Sequence, residues 1–522
     1  MRRTFLVAFA AFFLMSAAWA AALPVNGTYD EKHHLVRAYA VAEGELFPAG
    51  RATEATGFGV EGFDVPRSLL PDNVDCTWYH TRQPASCQVP VNDRTPVLVS
   101  SNVARYSPVY YLPTGLPLLV WPDRTGVLVA RLVSALMSAL LLAGAAVAVV
   151  RLRSRFMLAG LALVATPMAV NLAGSVNPNG LEISAGVLLF ATLLALVRAD
   201  GLDTRVTRRL LLLAGLATAL LLTVRQLGPL LLAVDVLAVL LLARPGRVRA
   251  LWRRRDARVI LGVPAVAGLA FFGYWTVASA VADISPAPDR ALHLGTGELL
   301  RRVATVRVPF YLHQVVGQFG YGETTISRYA IWGWYALFAV LVVPAFLAGG
   351  RRLRIVMGGL AVFCLALLVT LELYFAPLVG WTQHGRYAMP SAVGIVLVAG
   401  LLAPAWLTRR SWIPLALAAA TVVVHGYALA RVMTRYQVGI SAPLNPLHGS
   451  WLPPGGPFVP LALLAVGLAL LLVLVRSGVR PAGVAPDGST PAGNGPATHA
   501  LSIAAGRIDA VTDDSTTDTA SH

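Results

Sequence analysis

This 522-residue sequence predicts an all-α polytopic membrane protein, a bundle of about twelve transmembrane helices with large loops on one side, and three observations lead there. Only 13% of the residues are charged while 56% are apolar, and the mean hydropathy is +0.66. A water-soluble domain usually carries about 25% charged residues, so half that density over this length indicates lipid as the main solvent. Apolar runs recur at the length a bilayer demands, and arginines gather in short blocks between alternate runs.

A hydrocarbon core takes about 20 apolar residues per helix. Such runs lie near 4–22, 127–150, 156–174, 181–197, 208–224, 227–243, 259–281, 332–348, 354–371, 386–403, 412–429 and 458–475. If Arg2 and Arg3 keep the N-terminus in the cytoplasm, then RLRSR (151–155), RADGLDTRVTRR (198–209), RPGRVRALWRRRDAR (244–258), RRLR (351–354) and TRR (408–410) all fall on that same side. Both termini are then expected in the cytoplasm. The run 4–22 also reads as a signal peptide, since MRR, an apolar stretch and AWAAA follow one another. Retention is the expectation, because the helix would anchor the acidic pair behind it.

The formal charge of +16 is almost wholly arginine, Lys32 being the single lysine. Topology explains those blocks, no zinc-finger spacing or recognition helix accompanies them, and no nucleic-acid partner is expected. Membrane lipids are the surrounding partner.

A transmembrane domain over 1–480 is expected to carry two large outer loops, 23–126 and 282–331, and to be followed by a disordered cytoplasmic tail over 481–522, rich in Gly, Pro, Ala, Ser, Thr and Asp. The first outer loop is long enough to form a small cap. It contains Cys76 and Cys87, which an oxidising compartment would join in a disulfide. Cys364, inside an apolar run, reads as a small buried side chain.

Chemistry is sought at the outer face, where YDEKHHLVRAYAVAEG (29–44) follows the first run. Thr28 and Glu31 fit a capping box and Gly44 a helix stop. On that helix Asp30, His34 and Arg37 are spaced i, i+4, i+7 and share one face. Capping explains Glu31, and solvated polar side chains explain much of the rest. The functional reading makes Asp30 or Glu31 a general base that activates a hydroxyl acceptor.

Three further segments supply polar groups to the same side. WTQHGRYAMP (381–390) offers His384, Arg386 and Tyr387, the arginine able to fork onto two phosphate oxygens. SVNPNGLEI (175–183) turns between two spans and leaves Asn177, Asn179 and Glu182 outside. Arg225 and Gln226 sit in a tight connection, where the charge needs water, a phosphate or a carboxylate; intramembrane Asp235 is one candidate partner. No P-loop, HExxH or serine elbow occurs, and the glycines of HQVVGQFGYGETT (313–325) lack a strand–helix context.

DExxH after the first run, YSPVYYLP (106–113), SVNPNGLE (175–182), GQFGYGET (317–324) and QHGRYAMP (383–390) together closely resemble the bacterial membrane family called domain of unknown function 2142, over about residues 5–475. That family is similar to the GT-C superfamily of polyprenyl-phosphate-sugar-dependent glycosyltransferases, whose first outer loop carries a catalytic acid. The resemblance implies a GT-C-like bundle, with Asp30 at the position of that acid, Glu31 beside it, and Arg386 in the family's glutamine-glycine-arginine-tyrosine signature. Here His384 intrudes between Gln383 and Gly385.

The expected function is inverting transfer of a sugar from a polyprenyl-phosphate donor to a cell-envelope glycan. Asp30 and Glu31 would be catalytic, and His34, Arg37, Asn177, Arg225, Gln226, His384, Arg386 and Tyr387 would bind substrate. A divalent cation bridging Asp30 or Glu31 to phosphate is compatible with this chemistry, though the sequence spells out no ligand set and no cofactor. The alternatives are a transporter or flippase of a lipid-linked glycan, which predicts inverted repeats and midplane polar groups, and a noncatalytic assembly protein, for which Asp30 is replaceable.

Overall fold

The structure, a computed structural model, describes residues 1–48, 50–53, 59–281 and 289–479; the tail expected over 481–522 lies outside these. The first helix, α1 (Arg2–Ala22), buries its Ala-rich C-terminal half at the centre of the bundle, where small side chains let neighbouring helices approach closely. A short turn leads to α2 (Glu31–Glu43), which ends at Gly44 in the left-handed region, φ 103°, with the Gly44 and Glu45 amides donating to the last carbonyls.

Segment 23–126, read from the sequence as a possible cap, contains sheet as well as helix. Strands β1 (Gly50–Thr53), β2 (Gly59–Pro66) and β3 (Pro96–Ser100) form an antiparallel sheet in the order β1-β2-β3. These strands are four to eight residues long. Pieces this short, set among Gly and Pro, carry too little periodicity to stand out in a loop. Cys76 and Cys87 are disulfide-bonded, with Cα atoms 6.2 Å apart. Arg435 gathers the carbonyls of Thr77, His80 and Gln83 at 2.7–3.1 Å, tying this loop to the bundle. The cap closes with α3 (Pro108–Val120), started by the Ser107 side chain and Pro108 and packed along α2.

The helices α4 (Arg124–Val149), α5 (Met157–Val164), α6 (Pro167–Ala173), α7 (Pro178–Arg198), α8 (Thr204–Val224) and α9 (Gly228–Leu241) follow. Beyond them come α10 (Arg247–Arg253), α11 (Arg255–Ala278), α12 (Thr296–Arg302) and α13 (Val308–Gly317), then the hairpin of β4 (Gln318–Phe319) and β5 (Thr324–Thr325). The chain ends in α14 (Arg328–Ala348), α15 (Arg351–Val379), α16 (Met389–Leu401), α17 (Ala405–Thr408), α18 (Ile413–Val438) and α19 (Phe458–Val479).

Among the described residues nine helices are long and apolar enough to cross a membrane: α1, α4, α7, α8, α11, α14, α15, α18 and α19. The other three of the twelve apolar runs are interrupted or short. Run 156–174 breaks where Thr166 and Pro167 start α6, run 227–243 gives the 14-residue α9, and run 386–403 opens with a 3₁₀ turn before α16. Irregular backbone at membrane depth is tolerated only inside protein, and the Thr166–Pro167 break and the Gly385–Ala388 turn are both largely buried.

Exposed aromatics mark both ends of the bundle. Trp252, Trp406 and Trp412 stand beside the arginine blocks, and Tyr274, Tyr329, Trp332 and Tyr374 stand at the opposite helix ends. The cap, the α8–α9 connection and the α15–α16 connection all belong to that opposite end.

Candidate active site

Asp30 is the residue before α2 and sits in the left-handed region at φ 60°; its carboxylate makes no cap bond to the helix. It is therefore free to face Arg386, whose Nη2 donates to Asp30 Oδ2 at 2.6 Å. The arginine side chain is 1% exposed and the aspartate 30%, so the pair links a dry interior to an open surface.

The capping box is not formed. Thr28 donates instead to Asn171 at 3.3 Å, and Glu31 turns away from Asp30 into the bundle. There both Glu31 oxygens accept from Arg131 at 2.7 and 2.6 Å, and they also take the amides of Asn26 and Val176 at 3.1 and 3.2 Å. Arg131 spends its remaining donors on the carbonyls of Ala20, Leu23 and Pro24, which close the C-terminal end of α1. Glu31 is fully buried and saturated, so its place is in the joint between α1, α2 and α4.

Arg37 is likewise occupied. It donates to the carbonyls of Tyr106 at 3.2 and 2.8 Å, of Leu46 at 3.0 Å and of Glu45 at 3.5 Å, and leaves no edge for a phosphate. Asp30, His34 and Arg37 share a helical face but take separate partners. His34 Nδ1 meets the Tyr111 hydroxyl at 2.8 Å, and Asp30 alone reaches Arg386.

Arg386 differs from these satisfied arginines. Its guanidinium carbon lies 4.4 Å from the Tyr29 ring centroid and 5.3 Å from that of Tyr387, and its buried Nε and Nη1 have no hydrogen-bond partner among the described residues. An unpaired buried donor is costly, which makes these two nitrogens the conspicuous open positions of the site. Tyr387 also carries Arg225 over its ring at 4.7 Å, so one aromatic side chain joins both arginines.

Arg225 donates to Asn179 Oδ1 and lies 3.8 Å from Glu182. Its partner is thus Glu182 and not Asp235. Asn177 starts α7 through its own side chain, holds Asn179 at 2.6 Å and donates to the Tyr29 carbonyl at 2.9 Å. Asn177, Asn179 and Glu182, at the N-terminal end of α7, are all buried, because α7 lies almost wholly inside the bundle. Gln226 lines a narrow cleft between α8 and α11 with Arg225, Phe271, Phe272 and Trp275.

His384 Nδ1 contacts Gln314 Nε2 at 2.9 Å, and its ring stands edge-on to Tyr387. Burial, reinforced by Arg386, Arg307 and Arg225, holds its imidazole well below the ordinary value of 6.5; burial and Arg225 do the same to His34. Both rings are neutral at physiological pH. Below about 6.5 the unfolded chain takes up protons that the folded chain refuses, so stability is full above that pH and is lost as pH falls. Thermal midpoints in detergent should fall from pH 7 to pH 5, and the His34→Asn/His384→Asn double variant should flatten that slope.

Glu31 has no free oxygen, and among the described residues no group of three or more His, Cys, Asp or Glu could hold a metal ion. The sequence reading missed Arg131, Gln314, Arg307 and Glu372. Arg131 and Glu372 carried a usable signal, a charge inside an apolar run.

A family model described as "Predicted membrane protein (DUF2142)" matches residues 13–395. No curated protein matches the chain. Among solved structures, similarity is found to ArnT from Cupriavidus metallidurans bound to undecaprenyl phosphate, at 14% identity and TM-score 0.38, covering 92% of this chain and 76% of that one. The apo state of ArnT from the same organism is matched at 16% identity and TM-score 0.35, covering 72% and 67%.

Proposed function

The chain belongs to the DUF2142 family of predicted membrane proteins, and from that premise we propose a membrane glycosyltransferase that moves a sugar from a polyprenyl-phosphate donor to a hydroxyl of a cell-envelope glycan at the outer face of the bacterial inner membrane. The observation that carries the reading is Arg386: buried, held between two aromatic rings, bonded through one nitrogen to Asp30, and left with two unpartnered donors.

A phosphate oxygen pair satisfies those donors in the forked geometry that guanidinium favours. The acceptor hydroxyl enters from the exposed side of Asp30, which accepts its proton as the acceptor oxygen bonds to the anomeric carbon. The bond from that carbon to the donor phosphate oxygen breaks, and the polyprenyl phosphate leaves with the electron pair. Negative charge grows on the phosphate during this step, so Arg386, seconded by Arg225 through Tyr387, stabilises the transition state more than the ground state. Glu31 and Arg37 have no part in it, since their polar atoms are already committed.

The test is purified protein in lipid, offered radiolabelled polyprenyl-phosphate sugars and envelope glycan acceptors. Label moves to an acceptor with the wild type. Undecaprenyl phosphate raises the thermal midpoint of the wild type, and Arg386→Met abolishes that rise while inorganic phosphate gives none. A folded wild type that neither transfers label nor responds to any polyprenyl phosphate refutes the reading.

A further inference from the structure

A further buried charged pair, Arg307 with Glu372, lies behind the site, and no step above uses it. Arg307 ends a five-residue π-helical segment, Val303–Arg307, that joins α12 to α13. Runs of this kind are rare and gather at functional positions. Its Nε donates to Glu372 of α15 at 3.2 Å, and the Tyr311 hydroxyl donates to the same carboxylate oxygen. Glu372 is fully buried.

From this anchor the chain grips three consecutive residues. Arg307 Nη2 donates to the Gln383 carbonyl at 2.6 Å, Gln314 Nε2 meets His384 Nδ1 at 2.9 Å, and Gln314 Oε1 accepts the Gly385 amide at 2.6 Å. A Cβ on residue 385 would stand 2.4 Å from the Tyr311 carbonyl oxygen, so only glycine lets the two backbones meet this closely. The next residue is Arg386.

We propose that Arg307 and Glu372 are a positioning pair: they lock segment 383–385 onto α13 and so fix the direction in which Arg386 presents its unpartnered nitrogens. The inference rests on Arg386 being the phosphate ligand. A buried ion pair is a poor source of stability compared with apolar side chains of the same volume, so its hold on the Gln383 carbonyl, three residues before Arg386, is better explained by geometry than by stability. Displacing a forked donor by about 1 Å can cost roughly a hundredfold in rate.

The experiment compares wild type, Glu372→Gln and Arg307→Lys, with and without Arg386→Lys, in lipid nanodiscs. Hydrogen exchange at the amides of 384–387 should accelerate about tenfold in either single variant, with α1, α4 and α7 unchanged. Donor KM should rise about tenfold while acceptor KM stays put. In the Arg386→Lys background Glu372→Gln should add nothing to donor KM, because both changes act on one contact. Unchanged exchange at 384–387 in both variants overturns the proposal, and so does an additive effect on donor KM. If the wild type binds no polyprenyl phosphate, the functional reading fails on its own, and the exchange result alone decides whether the pair positions the segment.

Discussion

Asp30→Asn is expected to lower sugar transfer by about 10²- to 10⁴-fold while leaving the lipid-phosphate-induced rise in thermal midpoint intact. Asparagine is the right replacement for a backbone reason. Residue 30 has φ 60°, a left-handed conformation that Asn tolerates nearly as well as Asp and that alanine adopts only with strain. Asn also keeps an oxygen to accept from Arg386 Nη2, so the ring-stacked guanidinium stays in place. What is lost is the acceptor for the hydroxyl proton. Full transfer activity in a folded D30N protein would falsify the assignment of Asp30 as base, and loss of lipid response together with activity would move Asp30 from proton acceptor to donor-site organiser.

Breaking the Glu31–Arg131 pair should act on the fold instead. Arg131→Met leaves a carboxylate buried with two of its four hydrogen bonds and strips the Ala20, Leu23 and Pro24 carbonyls of their donor. Removing one member of such a pair costs about 3–5 kcal/mol, because the remaining charge has no water to turn to. Purified yield and the thermal midpoint in detergent should both drop sharply. Glu31→Met/Arg131→Met, which buries no charge, should recover much of the loss. A Glu31→Gln protein with wild-type stability and no transfer would contradict this and return Glu31 to the chemistry.

The two acids at 30 and 31 show where sequence reasoning stops. Both belong to one charged stretch behind one apolar run, and helical spacing alone favoured grouping Asp30 with His34 and Arg37. The outcome turned on partners 100 and 356 residues away, Arg131 for Glu31 and Arg386 for Asp30. No local pattern encodes such pairings. The arginines divide in the same way: Arg37 and Arg131 give their donors to backbone carbonyls and, for Arg131, to Glu31, whereas Arg386 keeps two open donors among the described residues. Only the hydrogen bonds of the folded chain separate a guanidinium whose donors are taken from one that keeps donors open.

Composition and hydropathy by themselves determined that this is a polytopic helical protein, and helix ends and arginine blocks marked the end of the bundle where polar residues collect. These are properties of the solvent around each segment, and lipid imposes them residue by residue. Tertiary structure alone decided that runs 156–174, 227–243 and 386–403 are broken or short, that Asn177, Asn179 and Glu182 are interior, and that Asp30, Arg386, Tyr387 and Arg225 form one connected group. Inside a bundle, a neighbouring helix can satisfy a polar side chain or an interrupted backbone that lipid would not, and which helix is the neighbour is settled by packing.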